Sequence, residues 1–322
     1  MAENLQLSQI AQQVSRHITL LKMATNTGIL NVPKKDGKSD VYLIESGNDD
    51  TSGLKLLELI AEMFPQGKLK AVINTHSHAD HCGGNAILVE KTGCEIWASK
   101  GEASLMEYPS IETQLIWGGT PIHDILSKFL LARPCHVTKI FDGEELIHIP
   151  VEAENSEITL QIVSLPGHYV DQTGLLFTDT DGKKIFFAGD ALSGRNVIKT
   201  YWIQYLLDER QTKESLHKVS QVQADLYIPG HGDSVDSVDG IVELNLLAIL
   251  ETENMILDEL KTPKTTEEIL KAVADRNLIT LRTSQFCLIG STLRSYLTGL
   301  YESGKITYEI QNNSWKWKRN NA

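Results

Sequence analysis

A short stretch of the chain combines histidines and an aspartate at spacings that suit metal ions. An apolar run ends at Asn74, and the sequence His-x-His-x-Asp-His follows it as His76, His78, Asp80 and His81. In extended chain, alternate side chains project to the same side, so His76 and His78 can bind one ion together. Asp80 and His81 follow where the chain turns and can reach a second ion beside the first. Imidazole and carboxylate are common ligands of zinc and related ions.

Three later segments each end a strand-like run with a glycine turn and a residue that can bind metal. Segments 165–168, 186–190 and 227–232 supply His168, Asp190 and His231. A lone histidine or aspartate in such a turn is more often a cap or turn residue. All three in order after the first motif favour a shared site with more than one ion. The other histidines lack ligand spacing and are predicted to be surface or packing residues: His17, His123, His136, His148 and His217.

Apolar runs rich in β-branched and aromatic residues alternate with helical patterns over the first 240 residues. The predicted strands are 40–45, 69–74, 94–98, 158–165, 174–178, 184–188 and 225–228, and the predicted helices include 54–64 and 85–91. Strands interleaved with helices indicate an α/β layered domain. Each candidate ligand group follows a strand, which places it at the mouth of a sheet.

The order of these motifs resembles that of the metallo-β-lactamase-fold hydrolase superfamily, over about residues 14–261. The resemblance implies a four-layer αβ/βα sandwich with its site at one edge between two sheets. It implies two divalent metal ions, with these ligands: His76, His78 and His168 for the first, Asp80, His81 and His231 for the second, and Asp190 for both. Zinc fits this ligand set, and iron or manganese also suits such sites.

Two positions narrow the choice of reaction within this superfamily. Asp190 resembles the bridging carboxylate of glyoxalase II and RNase Z types, which true β-lactamases of this fold lack. Position 78 is histidine, whereas flavodiiron oxygen reductases carry glutamate there; persulfide dioxygenases, with one iron, stay a minor alternative. The resemblance therefore implies a dinuclear hydrolase that uses a metal-bound hydroxide. Asp80 is the predicted catalytic residue, since it can orient the nucleophile or pass on its proton.

Two segments near these motifs are candidates for substrate contacts. Residues 110–137 form either an inserted helix or a loop that covers the site, and a plain packing helix is an equal alternative. Four residues after the Asp190 turn could bind an anionic or aromatic part of a substrate, or lie in a solvated loop: Arg195, Lys199, Tyr201 and Trp202. His123 lies in the first segment and could also face the substrate.

A change of pattern near residue 241 predicts a catalytic domain over residues 1–262 and a second domain over 263–322. The helical pattern of 241–261 stops at Pro263, and Thr265 with Glu268 fits a capping box. A further helix is predicted over 291–303, and alternation around Asn312-Asn313 predicts a β-hairpin. The segment resembles the winged-helix domain of one branch of the superfamily, which includes a mitochondrial endoribonuclease and esterase- or thioesterase-like proteins.

Charge is divided unevenly between these two parts. Residues 263–322 carry nine basic and five acidic residues, a net of +4, which leaves −16 for the rest of the −12 chain. An acidic body is a poor polyanion binder, although basic residues around the hairpin could follow a phosphate backbone beside stacking tryptophans: Lys305, Lys316, Lys318 and Arg319. The stronger alternative to nucleic-acid binding is that residues 263–322 serve as a docking or dimerisation module. In the latter case the protein would form a homodimer. Trp315 and Trp317 are expected to pack as core.

The sequence predicts a small-molecule substrate, namely an ester, thioester or lactone. The alternative is an endoribonuclease or phosphodiesterase acting on single-stranded RNA, which the acidic body disfavours. A strict glyoxalase II is also disfavoured, because the tail shows no matching glutathione-binding basic motif. A non-enzymatic metal scaffold would need a defective ligand set, and none of the seven ligands is missing.

Composition and cysteine usage favour a cytoplasmic globular protein. Of the 322 residues, 41% are hydrophobic and 22% charged, which excludes wholesale disorder and fibrous architectures. No run approaches the roughly 18 apolar residues of a membrane span, and the N-terminal residues do not resemble a secretory signal. The four cysteines are widely spaced without a Cys-x-x-Cys pair, as expected for free buried thiols in a reducing compartment.

Overall fold

Two facing sheets form the centre of the fold in the computed structural model, which describes residues 7–126, 130–141, 143–201 and 203–320. The first sheet has seven strands in sequence order: β1 (Ala11–Gln13), β2 (Ile18–Leu21), β3 (Thr27–Pro33), β4 (Ser39–Ile44), β5 (Gly67–Ile73), β6 (Glu95–Ser99) and β7 (Lys139–Phe141). The second has five, also in order: β8 (Leu146–Val151), β9 (Ser156–Ser164), β10 (Thr173–Thr178), β11 (Lys184–Gly189) and β12 (Leu226–Pro229). Both sheets contribute to one buried apolar cluster, in which Leu30 and Phe187 take part.

Helices cover the outer faces of both sheets. The helices are α1 (Leu7–Ile10), α2 (Asp50–Met63), α3 (Ala79–Cys82), α4 (Asn85–Thr92), α5 (Lys100–Glu107), α6 (Ser110–Trp117), α7 (Arg195–Thr200), α8 (Glu209–Gln221), α9 (Ile241–Glu259), α10 (Thr266–Arg276) and α11 (Thr283–Glu302). Helices α2, α4 and α5 share a buried cluster with the first sheet, and α8 and α9 share another with the second. The predicted four-layer αβ/βα sandwich is therefore confirmed. Among the residues described, no helix is both long and apolar enough to cross a bilayer.

Strand direction decides where the candidate ligands can meet. Strands β4, β5 and β6 run parallel, so their carboxyl ends lie at one edge of the first sheet. Strand β10 runs antiparallel to both β9 and β11, whereas β12 runs parallel to β11. The carboxyl ends of β9, β11 and β12 therefore share one edge of the second sheet. Four of these strand ends carry the motifs that the sequence singled out.

The strands that the sequence predicts are present, with ends that agree to within two residues. Strands β1, β2, β3, β7 and β8 are additional. Of these, β1, β2 and β7 have only three or four residues, too few for a periodic signal. Strand β2, for example, is four residues long and buried throughout, so it lacks the alternation of a half-buried strand. All four cysteines are buried free thiols, as the sequence predicts.

The segment of residues 110–137 is partly helix and partly loop. Helix α6 occupies its start, and a single 3₁₀ turn follows at His123–Ile125. Residues 127–129 of its apolar stretch lie outside the described part of the chain. The α6 helix contacts α5 and α11, and Ile116 and Ile125 pack with Cys287 of α11. The segment therefore joins the first layer of helices to the end of the chain, and His123 is exposed.

The C-terminal part contains the helices and hairpin that the sequence predicts. The Thr265 hydroxyl accepts a hydrogen bond from the backbone N–H of Glu268, whose carboxylate accepts one in return, so the capping box is confirmed. Strands β13 (Ile306–Gln311) and β14 (Ser314–Arg319) pair around Asn312 and Asn313, whose φ angles are 49° and 59°. Positive φ at both turn residues is typical of a tight two-residue hairpin. Helix α11 begins at residue 283 rather than at 291.

The apolar residues of this C-terminal part are continuous with those of the body. Ile269, Leu293 and Leu297 belong to the same buried cluster as α8, α9 and the outer face of the second sheet. A division between residues 262 and 263 stays a prediction. For Trp315 the expected core position is wrong, because 46% of it is exposed. Trp317, two residues further along β14, is partly buried against that cluster, and its backbone forms a bridge with Lys264.

We expect Leu297→Ala to destabilise the whole chain and not only its C-terminal part. Leu297 is fully buried, and such a truncation costs about 2–5 kcal/mol of unfolding free energy. Thermal unfolding followed by circular dichroism should show one transition at a lower temperature. Leu278→Ala is the control, since Leu278 is 93% exposed. A separate low-temperature transition of the tail would contradict the shared core.

Candidate metal centre

The seven predicted metal ligands lie together where the two sheets meet. His76 and His78 follow β5 in non-helical chain, and Asp80 and His81 lie on the single turn α3. The other three follow β9, β11 and β12, at the edge that those strands share: His168, Asp190 and His231. Their role as ligands remains a prediction, and their convergence is a feature of the structure.

Three histidine nitrogens form the first cluster. The Nδ1 atom of His78 lies 3.1 Å from Nε2 of His76 and 3.0 Å from Nε2 of His168. Ligands about 2.1 Å from a tetrahedral ion lie roughly 3.4 Å apart, a few tenths of an ångström above these values. A single proton on His78 can satisfy only one of the two neighbouring nitrogens, whereas one cation would satisfy all three. Their convergence therefore fits a metal ion.

Three histidines use Nδ1, the ring nitrogen that points away from the centre, in a hydrogen bond to the surrounding protein. This contact decides whether Nε2, which faces the centre, can act as a ligand. His168 Nδ1 donates to the carbonyl of Tyr205 at 3.0 Å, and His231 Nδ1 donates to that of Ala24 at 2.8 Å. A carbonyl can only accept, so both Nδ1 atoms carry hydrogen. The hydroxyl of Thr75 lies 3.0 Å from His76 Nδ1 and holds this ring in the same way. When these rings are neutral, all three Nε2 atoms therefore direct lone pairs at the centre, as metal ligands must.

Asp80, His81 and His231 form the second cluster, and Asp190 lies between the two. His231 Nε2 lies 3.0 Å from Oδ2 of Asp80, and His81 Nε2 lies 3.9 Å from the same atom. Asp190 Oδ2 lies 3.5 Å from Nε2 of His168 and 3.6 Å from Nε2 of His231, and its Oδ1 lies 3.4 Å from Nε2 of His81. Asp190 thus contacts both clusters, as the resemblance implies for a bridging carboxylate.

Unsatisfied buried atoms also fit bound cations. His81 Nε2 and Asp190 Oδ1 are buried and have no hydrogen-bond partner within the described residues. Such groups are costly to bury unless something compensates them. The clusters differ in depth: His76 is fully buried, whereas 27% of the His231 side chain and 39% of the Asp80 side chain are exposed. The centre is therefore more open to solvent at Asp80 and His231 than at His76.

Gly230 lets the chain pass close to the centre. A Cβ at this position would lie 2.0 Å from Oδ1 of Asp190 and 2.9 Å from Cε1 of His81. No side chain fits there without moving Asp190. The glycine between Pro229 and His231 is thus required by contact with the site and not by its φ angle.

Glu45 is a residue of the site that the sequence reasoning missed. It directly follows β4, with φ +66°, and is 2% exposed. Its Oε1 accepts a hydrogen bond from the Thr75 hydroxyl at 2.5 Å and lies 3.3 Å from Nδ1 of His81. Glu45, His76 and His81 also form a compact group of potential ligand atoms. The sequence feature that could have identified Glu45 is an acidic residue directly after a buried strand, next to the strand that precedes His76.

Two more buried glutamates lie behind the first cluster. Glu102 of α5 accepts hydrogen bonds from Ser77, and burial raises its pKa to about 7. Glu112 of α6 has its Oε1 3.8 Å from Nε2 of His78. Burial raises the pKa of Glu112 well above its usual value, and the charge of Asp80 adds to this effect.

Burial and charge set the two clusters apart electrostatically. Burial lowers the pKa values of His76 and His168, and with the charge of His168 it lowers that of His78 to about 3. Burial acts in the same direction on His231, but the charge of Asp190 and the hydrogen bond with Asp80 outweigh it and raise the His231 pKa to about 9. Burial would also lower the pKa of His81, but the charges of Asp190 and Asp80 outweigh it and raise that pKa well above its usual value. Without metal, the histidines of the first cluster are therefore neutral, and those of the second are protonated.

A narrow crevice opens beside His168 and Asp190. Apart from these two residues, its lining consists of apolar and uncharged polar residues, among them Tyr201, Ile203, Gln204 and Asn245. No lysine or arginine is found among its described lining residues. Of the predicted substrate-contact residues, Tyr201 lines the crevice, Arg195 and Lys199 are exposed on α7, and Trp202 lies outside the described residues.

We expect the two clusters to differ in proton release when metal binds. A cation at the second cluster must displace the protons of His231 and His81, so affinity there should rise at least about tenfold per pH unit between pH 7 and 9. Affinity at the first cluster should change little over this range, because its histidines are already neutral. Calorimetric zinc titrations in buffers of different protonation enthalpy measure this release. Equal release at both binding steps would contradict the assignment.

We expect Gly230→Ala to displace Asp190 and to lower bound metal, measured by elemental analysis after dialysis, from about two equivalents to one or fewer. The physical reason is the 2.0 Å approach that the new methyl group would make to the carboxylate. Gly119→Ala is the matched control, since the nearest atom to its Cβ would be 3.9 Å away. Full metal content in the Gly230→Ala protein would be inconsistent with this geometry.

Comparison with solved structures shows the same architecture in bacterial proteins. A beta-lactamase domain protein from Burkholderia ambifaria matches with a TM-score of 0.73 and 18% identity, covering 99% of this chain and 97% of that one. A metallo-beta-lactamase family protein from Thermus thermophilus matches with a TM-score of 0.69 and 18% identity, covering 97% of each chain. At these identities the likeness concerns the fold, and it extends through the C-terminal helices and hairpin.

A model of the metallo-beta-lactamase superfamily matches residues 24–231, which is more than half of the chain. The match includes all seven candidate ligands, from His76 to His231. The predicted enzyme class, a metal-dependent hydrolase, agrees with this family and with the solved structures of the same fold. The chain belongs to the metallo-beta-lactamase superfamily.

Proposed function

We propose that this protein hydrolyses a small ester, thioester or lactone at a centre of two divalent metal ions. The lining of the crevice beside His168 and Asp190 carries the proposal. It offers apolar surface, amides and hydroxyls to a substrate, and its described residues include no cation to hold a phosphate. The crevice has a free volume of about 30 Å³, so it would take only the reacting end of a substrate, and its uncharged lining suits an acyl group better than a polyanion.

The seven residues would hold the ions as the resemblance implies: His76, His78 and His168 at the first, Asp80, His81 and His231 at the second, and Asp190 at both. When bound, the ions would activate a water molecule and polarise the carbonyl that it attacks. Zinc suits the nitrogen and oxygen donors, and iron or manganese is an alternative. The chain itself keeps three of the histidines in the required tautomer through Thr75, Tyr205 and Ala24.

Asp80 is the proposed catalytic side chain on the open side of the centre. Burial would raise its pKa, but the charge of His81 and the hydrogen bond with His231 outweigh this and hold the pKa below its usual value. A carboxylate of low pKa is a weak base. We therefore assign to Asp80 the role of an acceptor that orients the attacking water, in preference to that of a proton carrier.

An endoribonuclease acting on single-stranded RNA is the second candidate, and the hairpin favours it. Tyr308 and Trp315 stack with ring centres 4.4 Å apart, and both are exposed. Trp317 and Tyr301 extend this aromatic face. Exposed aromatic rings can stack on bases. The proposed winged-helix domain of residues 263–322 would then bind the RNA, whereas in the first candidate it closes one side of the site through α11.

We expect zinc- or manganese-loaded protein to cleave members of an ester, thioester and lactone panel and to leave a bis-aryl phosphodiester and labelled RNA intact. His76→Ala and Asp190→Ala should lower the rate by at least about a hundredfold, because each removes a ligand of the centre. His148→Ala is the control, since His148 is an exposed residue of β8. Cleavage of RNA alone would favour the second candidate, and full activity in both ligand variants would refute the metal centre.

A further inference from the structure

One buried carboxylate contacts both chain segments that carry the first cluster. Glu102 lies on α5, outside the seven candidate ligands, and is completely buried. Its Oε2 accepts hydrogen bonds from the backbone N–H of Ser77 at 2.9 Å and from the Ser77 hydroxyl at 2.6 Å. Its Oε1 accepts a hydrogen bond from the backbone N–H of Asp171 at 2.7 Å. Both oxygens are thus engaged, one on each segment.

The two residues that Glu102 contacts, Ser77 and Asp171, lie on the segments that carry the first cluster. Ser77 lies between His76 and His78, so its position fixes the backbone from which two of the three histidines of the first cluster project. Asp171 lies three residues after His168, in the loop that carries the third. The two segments belong to different sheets and are 90 residues apart in sequence between His78 and His168. The Glu102 carboxylate is therefore a direct link across the line where the sheets meet.

The loop that follows His168 has further contacts with the start of α5. The Asp171 carboxylate accepts a hydrogen bond from the backbone N–H of Gly101 at 2.8 Å, and the Ser99 hydroxyl donates to the Asp171 carbonyl at 2.6 Å. The approach is close, since a Cβ at Gly101 would lie 2.5 Å from Cβ of Asp171. These contacts hold the loop on α5 without using any candidate ligand.

We propose that Glu102 is a positioning residue for the first metal ion, because it fixes the His76–His78 segment relative to the loop that bears His168. The inference rests on the proposed metal centre. Metal ligands must be held within about 0.5 Å of their productive positions. Groups behind the ligands that hold them in place typically contribute about ten- to a hundredfold to metal affinity. Glu102 acts on the backbone of the ligand segments and touches neither ion nor substrate.

A carboxylate suits this role better than an amide of the same shape. Glu102 faces three donors, two at one oxygen and one at the other. The glutamine side chain offers one acceptor oxygen, and its NH₂ group would face an N–H on the opposite side. Glu102→Gln therefore breaks the hydrogen bonds either to Ser77 or to Asp171, while it preserves the volume of the side chain.

The test separates the two clusters by using ligand variants. His231→Ala keeps the first cluster complete, and His78→Ala keeps the second complete, so cobalt affinity by chelator competition reports one cluster in each. We expect Glu102→Gln to weaken cobalt binding about ten- to a hundredfold in the His231→Ala protein and less than about threefold in the His78→Ala protein. The visible spectrum of bound cobalt should change only in the first. Glu253→Gln is the control, since Glu253 is a buried glutamate bound to Lys213 and Lys305, away from the centre.

A milder variant covers the case in which Glu102→Gln does not fold. Ser77→Ala removes only the hydroxyl bond to Glu102 and should weaken the first cluster about fivefold. Unchanged affinity of the first cluster in either variant, or equal weakening of both clusters, would overturn the positioning role. Failure of the unmodified protein to bind two metal ions would instead refute the proposed centre.

Discussion

Burial of several polar groups at one point is the constraint on which the rest of this structure depends. The inner nitrogens of His76, His78 and His168 lie about 3 Å apart, and His81 is inaccessible to solvent. Such a group is unfavourable unless cations compensate it, so other contacts of the fold must hold it together. Rings are fixed from behind by Thr75, Tyr205 or Glu45, and each ligand segment starts from the end of a buried strand. The sandwich supplies a rigid frame in which strand ends from both sheets meet.

The sequence predicts the parts of this arrangement that depend on local pattern. The spacing of His76, His78, Asp80 and His81 reads directly from the chain, and strand-plus-glycine turns mark the other ligands. The capping box of Thr265 and the hairpin turn at Asn312 are likewise local signals, since each is formed within four residues. These are the features that rules of sequence spacing can capture.

Features that arise from packing between distant segments are not predictable in this way. Glu45 and Glu102 are single acids with no motif around them, and their hydrogen-bond partners lie 25 to 69 residues away in sequence. The true start of α11 escapes prediction because its first turns face the 3₁₀ segment and solvent, so Phe286 is exposed and the apolar stripe begins later. The expectation of a core position for Trp315 follows from its alternation with Trp317, which resembles a half-buried strand. Trp317 does pack against the main core, whereas Trp315 lies nearer the hairpin turn and is 46% exposed.

The unequal depth of the two clusters has a consequence for the lifetime of each bound ion. An ion in the first cluster would leave only after the loops around His76 and His168 opened, which is a slow, cooperative motion. An ion at Asp80 and His231 would face solvent and would exchange with dissolved cations without any such opening. The identity of the first ion would therefore depend on which metals were available when the protein folded. The identity of the second would depend on which metals are present while the protein is active.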